Sequence, residues 1–132
     1  MIFADTSFWV ALRNRRDAHH DDAAALLGER ADEVILTTNH VVGETWTFLR
    51  RRAGYAAGLG FLDVIRRSPR VRVHHVSEAE EEQSLTWLRQ HDEREYSFVD
   101  ATSFITMRGA RLHEVLAFDG DFSAAGFVEV RP

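Results

Sequence analysis

Two short, unbroken apolar runs, Met1 to Ala4 and Val115 to Phe118, each stop at an aspartate, Asp5 and Asp119. Runs of that length without polar alternation read as strands covered on both faces, the pattern of a parallel sheet. Parallel neighbours cannot be joined by a hairpin, so helical crossovers must fill the chain between them. The order of signals is strand, helix, helix, strand, helix, helix, strand, helix, helix, strand, loop, strand, an α/β pattern with right-handed crossovers. In an open sheet of this kind ligands bind beyond the C-terminal strand ends, where both aspartates stand.

Local signals set the expected boundaries. Residues 1–5 form the first strand, and Thr6 or Ser7 caps a helix through Leu12. A second helix covers Asp21 to Arg30 and a second strand Val34 to Thr37. Thr38 or Asn39 caps a helix that Gly54 ends, and another runs from Ala56 to Arg67 until Ser68-Pro69 stops it. Val71 to Val76 alternates as a strand, and Ser77 with Glu80 makes a capping box for a helix to His91. Ser97 to Arg108 is the last helix, followed by strands at 115–118 and 127–131 with a loop between them.

Length and composition narrow the chemistry. At 132 residues the chain is the size of one domain, expected to span 1–132 without a linker. No basic N-terminal segment leads into an apolar stretch, and no apolar run approaches the roughly 20 residues of a membrane span, so the expected compartment is the cytoplasm. The absence of cysteine removes disulfides, thiolate metal sites and cysteine nucleophiles. All 16 basic side chains are arginine, which excludes every mechanism built on a lysine. The net charge of -5 opposes binding to a polyanion, although divalent cations held by clustered carboxylates would cancel most of it.

Four acids, Asp5, Glu44, Asp100 and Asp119, carry the functional signal, with Asp121 beside the last. Taken singly each has an ordinary explanation: Asp5 as a turn or cap residue, Asp100 as the first-turn acid three residues after Ser97, and Asp119 and Asp121 as turn formers in Phe118-Asp119-Gly120-Asp121-Phe122. Glu44 sits on the margin of the apolar stripe of Val41, Val42, Thr45, Trp46, Phe48 and Leu49, or pairs with Arg51 as an ordinary flank residue. Their joint placement is what informs, because a fold of this class would bring Asp5, Glu44, Asp100 and Asp119 to one point. Carboxylates so close repel unless cations compensate, and hard divalent ions with oxygen ligands are the natural compensation. An all-carboxylate set suits Mg²⁺ or Mn²⁺, whereas zinc or copper brings histidine. The seven histidines, including the adjacent pairs His19-His20 and His74-His75 whose side chains diverge, read as structural or surface residues, with tuning of RNA contact by one of them as the alternative.

With Asp5-Thr6-Ser7 at the start, Glu44 in a helix, Ser97-Phe98-Val99-Asp100-Ala101 opening a later helix and Phe118-Asp119-Gly120-Asp121-Phe122 near the end, the whole chain resembles the PIN-domain family. Within that family it looks most like the VapC toxin ribonucleases of bacterial toxin-antitoxin pairs. The resemblance implies a PIN-like α/β/α sandwich with a central parallel sheet of four to five strands. It also implies a Mg²⁺-dependent endoribonuclease, with Mn²⁺ able to substitute, inhibited by a VapB-type antitoxin and commonly dimeric. Carried onto this sequence, the catalytic and metal-binding acids are Asp5, Glu44, Asp100 and Asp119, with Asp121 at a loop position where family members vary. Ser7 and Ser103 would support the site.

In the expected chemistry, metal held by Asp5, Asp100 and Asp119 activates a water, and Glu44 serves as ligand or orienting base. Arg51, Arg50 and Arg13 are candidates for gripping RNA phosphates. Trp9 and Trp46 could stack on bases but fit a small core better. A phosphoacceptor receiver domain and a haloacid-dehalogenase-like phosphatase both require a lysine near the acids and are excluded. The rival that survives is a PIN-like module that binds RNA or protein without cleaving.

Overall fold

The N-terminal apolar run becomes the middle strand of a five-stranded sheet. In the computed structural model, which describes residues 1–132, β1 (Ile2–Ala4) pairs in parallel with β2 (Ile35–Thr38) on one side and β4 (Glu114–Leu116) on the other. The outer strands are β3 (Val71–His74) beside β2 and β5 (Val128–Glu129) beside β4, giving the order β3-β2-β1-β4-β5, parallel throughout. All three residues of β1 are fully buried, which only the central strand of a covered sheet allows.

Seven helices flank the sheet. They are α1 (Thr6–Arg13), α2 (His20–Glu29), α3 (Asn39–Arg52), α4 (Tyr55–Arg67), α5 (Glu78–Arg89), α6 (Phe98–Gly109) and the single turn α7 (Asp121–Ala124). α1 packs on α2, α3 and α4, whereas α5 packs on α6. A core of 23 buried hydrophobic residues joins these elements, with Phe104 holding Trp87, Phe122 and Phe127 in aromatic contact. No helix is long and apolar enough to cross a membrane.

The α/β class and parallel sheet agree with the sequence expectation, while several element ends differ. β1 stops at Ala4, and Asp5 becomes the N-cap of α1. β4 stops at Leu116, opposite Ala4, because β1 supplies no further partner for Ala117 and Phe118. β3 ends at His74 rather than Val76, α5 ends at Arg89 rather than His91, and β5 shrinks to two residues. Where a loop was expected after Asp119, α7 adds one helical turn.

The topology fixes where a ligand can sit. From β1 the chain moves outward through β2 and β3, then returns to place β4 on β1's other side. The β1–β4 boundary is therefore the switch point at which the connections leaving the two strand ends part and leave a crevice. Asp5 follows one of these strands directly, and the Phe118-Asp119 turn follows the other.

Candidate active site

Asp5 is only 2 % exposed, and its carboxylate accepts from the Ser7 backbone N–H at 3.2 Å and the Ser7 hydroxyl at 2.9 Å. Ser7 Oγ in turn accepts the Phe118 N–H at 3.0 Å, which ties the loop after β4 to the loop after β1. Burial, then the charge of Asp119, push the Asp5 carboxyl up to about 8 against the opposing Ser7 hydrogen bonds.

Asp100 reaches the same crevice from the first turn of α6. A reciprocal capping box holds it: its carboxylate accepts the Ser97 N–H at 2.9 Å, and its own N–H donates to Ser97 Oγ at 3.0 Å. Burial dominates again and, with the nearby Asp121 and Asp119 charges, raises it to about 6 despite the Ser97 bonds. Asp119 is also raised, by burial first and then by Asp121, although the Asp121 N–H donates to its Oδ1 at 3.2 Å. Gly120 between them adopts φ +84°, a left-handed conformation that lets the chain turn both aspartates toward Asp100 at little steric cost.

Carboxylate oxygens of Asp100, Asp119 and Asp121 all lie within 4.8 Å of one another. Asp5 stands outside this trio but feels the charges of Asp119 and Asp100. Glu44 also lies outside it. It is exposed on α3 and lines, with Thr6, Ser7, His19, Phe118 and Asp119, a cleft of about 470 Å³. The expectation that put Asp121 at the edge of the set is thus reversed geometrically, with Asp121 in the tight group and Glu44 on the wall. Only oxygen donors are present, and the raised carboxyls are those that a nearby cation would return to their ionised form, so the group fits a hard divalent ion.

One cation already touches the cluster. Arg94, in the loop before α6, donates from Nε to Asp121 at 2.6 Å and from Nη2 to the Asp119 carbonyl at 3.1 Å. Nothing in its sequence neighbourhood marks it, since its partners lie 27 and 25 residues away. Ser103, one turn beyond Asp100, is fully buried with its hydroxyl unpartnered, as are the hydroxyls of Thr6 and Thr45.

The arginines divide into separate groups. Arg51 and Arg52 line a depression that shares Glu44 and Phe48 with the cleft, whereas Arg13 sits with Arg15, Arg16 and Arg52 in another. Arg50 lies over the Tyr55 ring at 5.6 Å. Trp9 is core at 1 % exposure, and Trp46 packs edge-on against Tyr55. The adjacent His19 and His20 point apart, His20 toward the Ala11 carbonyl and the exposed His19 onto the Phe118 ring in the cleft wall.

The family model described as the PIN domain matches residues 2–128. The chain belongs to the PIN-domain family, as a VapC-type ribonuclease. The 23S rRNA-specific endonuclease VapC20 of Mycobacterium tuberculosis, in strains CDC 1551 / Oshkosh and H37Rv, is 58% identical over 132 residues, covering 100% of this chain and 99% of the relative. The crystal structure of M. tuberculosis VapC20, described as a sarcin-ricin loop cleaving toxin, superposes with a TM-score of 0.95 at 56% identity over 100% of both chains. FitAcB from Neisseria gonorrhoeae matches at TM-score 0.69 and 18% identity over 98% of this chain and 96% of that one, a likeness of fold alone. The acids of this PIN domain therefore stand on a scaffold that is similar over its whole length to a nuclease acting on RNA.

Proposed function

We propose that this chain is the endoribonuclease toxin of a VapBC-type toxin-antitoxin pair. In this reading it cuts 23S rRNA at the sarcin-ricin loop with Mg²⁺ in the cytoplasm. The observation that carries the reading is the convergence of Asp100, Asp119 and Asp121 beside buried Asp5 at the sheet's switch point. Identity of 58% to a 23S rRNA-specific endonuclease, spread over the whole chain, supports the substrate.

Asp100, Asp119 and Asp121 would hold the cation, with Asp5 as the adjoining carboxylate. When bound, the ion supplies Lewis-acid stabilisation of the phosphate and lowers the pKa of a water. The Ser97 capping box and the Ser7 bridge keep Asp100 and Asp5 in fixed rotamers, so little reorganisation is needed when substrate arrives. Glu44, free of the trio on the cleft wall, orients the attacking water and accepts its proton. Arg51 and Arg52 neutralise RNA phosphates along the adjoining depression.

The antitoxin half of the reading rests on surface chemistry. Tyr55, Leu59 and Leu62 are exposed apolar residues at one-turn spacing on α4, with Phe48 exposed on neighbouring α3. A VapB-type partner covers this stripe and brings an arginine to the acids, as Arg94 does within the chain. The active species is a homodimer, which sedimentation of the purified protein measures.

Cleavage of a 23S rRNA fragment with Mg²⁺, with Mn²⁺ and with excess chelator tests the central claim. Asp100→Asn is expected to lower the rate by at least about a hundredfold, since a metal ligand's charge contributes several kcal/mol at the transition state. Undiminished cutting in chelator would remove the metal, and 5′ ends mapping outside 23S rRNA would remove the substrate.

A further inference from the structure

We infer that the stacked rings of His19 and Phe118 form a subsite for one unpaired RNA base beside the phosphodiester that is cut. The inference rests on the ribonuclease reading above. The rings are parallel to within 1°, with centroids 4.6 Å apart. They share the wall of the 470 Å³ cleft with Asp17, Glu44, Phe48 and Asp119.

The stack is held in register with the acids. Phe118 directly precedes Asp119, and its N–H donates to Ser7 Oγ at 3.0 Å, whose hydroxyl donates to Asp5 at 2.9 Å. His19 is fixed from its own side, because its backbone N–H donates to Asp17 Oδ1 at 2.8 Å and it takes the N-cap position of α2. Two loops from opposite sides of the switch point thus meet in one aromatic pair. Positioning a base on this pair positions the attached phosphate relative to the cluster, and that is what a cleavage-site preference requires.

The wall chemistry selects the base rather than the backbone. His19 is exposed, so a nucleobase can extend the stack, and such stacking tolerates any base. Asp17, the wall carboxylate that is not part of the metal cluster or the water site, accepts hydrogen bonds from exocyclic amino groups. Adenine, guanine and cytosine therefore fit better than uracil. The phosphates instead follow Arg51 and Arg52, across the Glu44 and Phe48 wall that the two depressions share.

The test uses an RNA hairpin reproducing the sarcin-ricin loop, with 2-aminopurine placed in turn at each loop position around the cut. Steady-state cleavage is measured for wild type, His19→Ala and His19→Phe, with thermal midpoints as the folding control. His19→Ala is expected to raise KM roughly tenfold, the size of one lost base stack, at an unchanged midpoint. His19→Phe is expected to restore it, because a phenyl ring stacks without imidazole chemistry. One 2-aminopurine next to the cut should be quenched by wild type and not by His19→Ala. An unchanged KM in His19→Ala, or a loss that His19→Phe leaves unrepaired, overturns the subsite. So does a His19→Ala protein that cuts RNA normally but no longer binds the antitoxin, which would make the wall a protein contact. Wild type that cleaves no RNA overturns the ribonuclease reading and the subsite with it, whereas an active enzyme indifferent to His19 overturns the subsite alone.

Discussion

Arg94 would compete with a bound divalent ion for the Asp121 carboxylate. Its Nε lies 2.6 Å from Asp121 Oδ1, while its side chain remains 42% exposed, so water and salt weaken the pair. The guanidinium nonetheless offsets negative charge in a trio that a divalent ion would otherwise neutralise. Arg94→Gln is therefore expected to tighten Mg²⁺ or Mn²⁺ binding roughly two- to fivefold at low salt, the scale of an exposed pair. Calorimetric titration of the metal into wild type and variant reads the change. Weaker binding in the variant would mean that Arg94 holds Asp121 in place for the ion and does not oppose it. The residue also marks a limit of sequence reading. Asp100 is visible as the acid of a Ser97 capping box, but an arginine in an aperiodic loop carries no local sign of a partner 27 residues away.

Among the elements, Gly28 and Gly58, two of the helical glycines, look alike in sequence and differ in packing. A Cβ on Gly28, inside α2, would meet nothing within 4 Å, whereas one on Gly58, inside α4, would lie 2.7 Å from Cζ3 of Trp46 on α3. Gly28→Ala is expected to raise stability by about 0.5–1 kcal/mol through lost unfolded-state entropy. Gly58→Ala is expected to lower it by about 1–3 kcal/mol, because the indole and with it the α3–α4 contact must shift. Urea midpoints compare the two, and a stabilised Gly58→Ala would disprove the close approach. Three helix starts were legible because capping is local, Thr38, Ser77 and Ser97 all capping through their own side chains, whereas α1 is capped by Asp5 and not by Thr6 or Ser7. Strand ends were less so. Ala117 and Phe118 remain apolar after the ladder has ended, since β4 stops where its partner β1 stops, at the Ala4–Leu116 pair. α7 escaped notice because one turn has no period to detect.

At the scale of the whole molecule, topology explains why the acids were legible together and Glu44 less exactly placed. A parallel α/β sheet must deliver the ends of β1 and β4 to one crevice, which brings Asp5 and Asp119 near each other whatever the loops do. A helical residue such as Glu44 depends on the rotation and tilt of α3, which periodicity gives only as a broad stripe. The cluster's electrostatics then set a property of the entire fold. Asp5 is pushed from 3.8 to about 8 and Asp100 from 3.8 to about 6, burial leading in both, so the folded metal-free protein keeps protons that the unfolded chain releases. Stability of the metal-free protein must therefore fall as pH rises from about 4 to about 8. Glu80, Glu93 and Glu129 are held below their ordinary 4.5, so they act in the opposite direction and only at the acidic end, where stability falls as pH drops. A divalent ion takes the ionised carboxylates, so its stabilising effect should grow over the same range. Thermal midpoints in chelator are expected to drop between about pH 5 and about pH 8, and saturating Mg²⁺ to shrink or reverse that drop. Asp5→Asn keeps an oxygen to cap α1 through the Ser7 N–H but removes the buried charge. It should flatten the slope in chelator, raise the midpoint at pH 8 and reduce the gain from Mg²⁺. Curves with and without the ion that stay parallel in wild type, or a slope unaltered by Asp5→Asn, would show that these carboxylates titrate separately and do not share a cation.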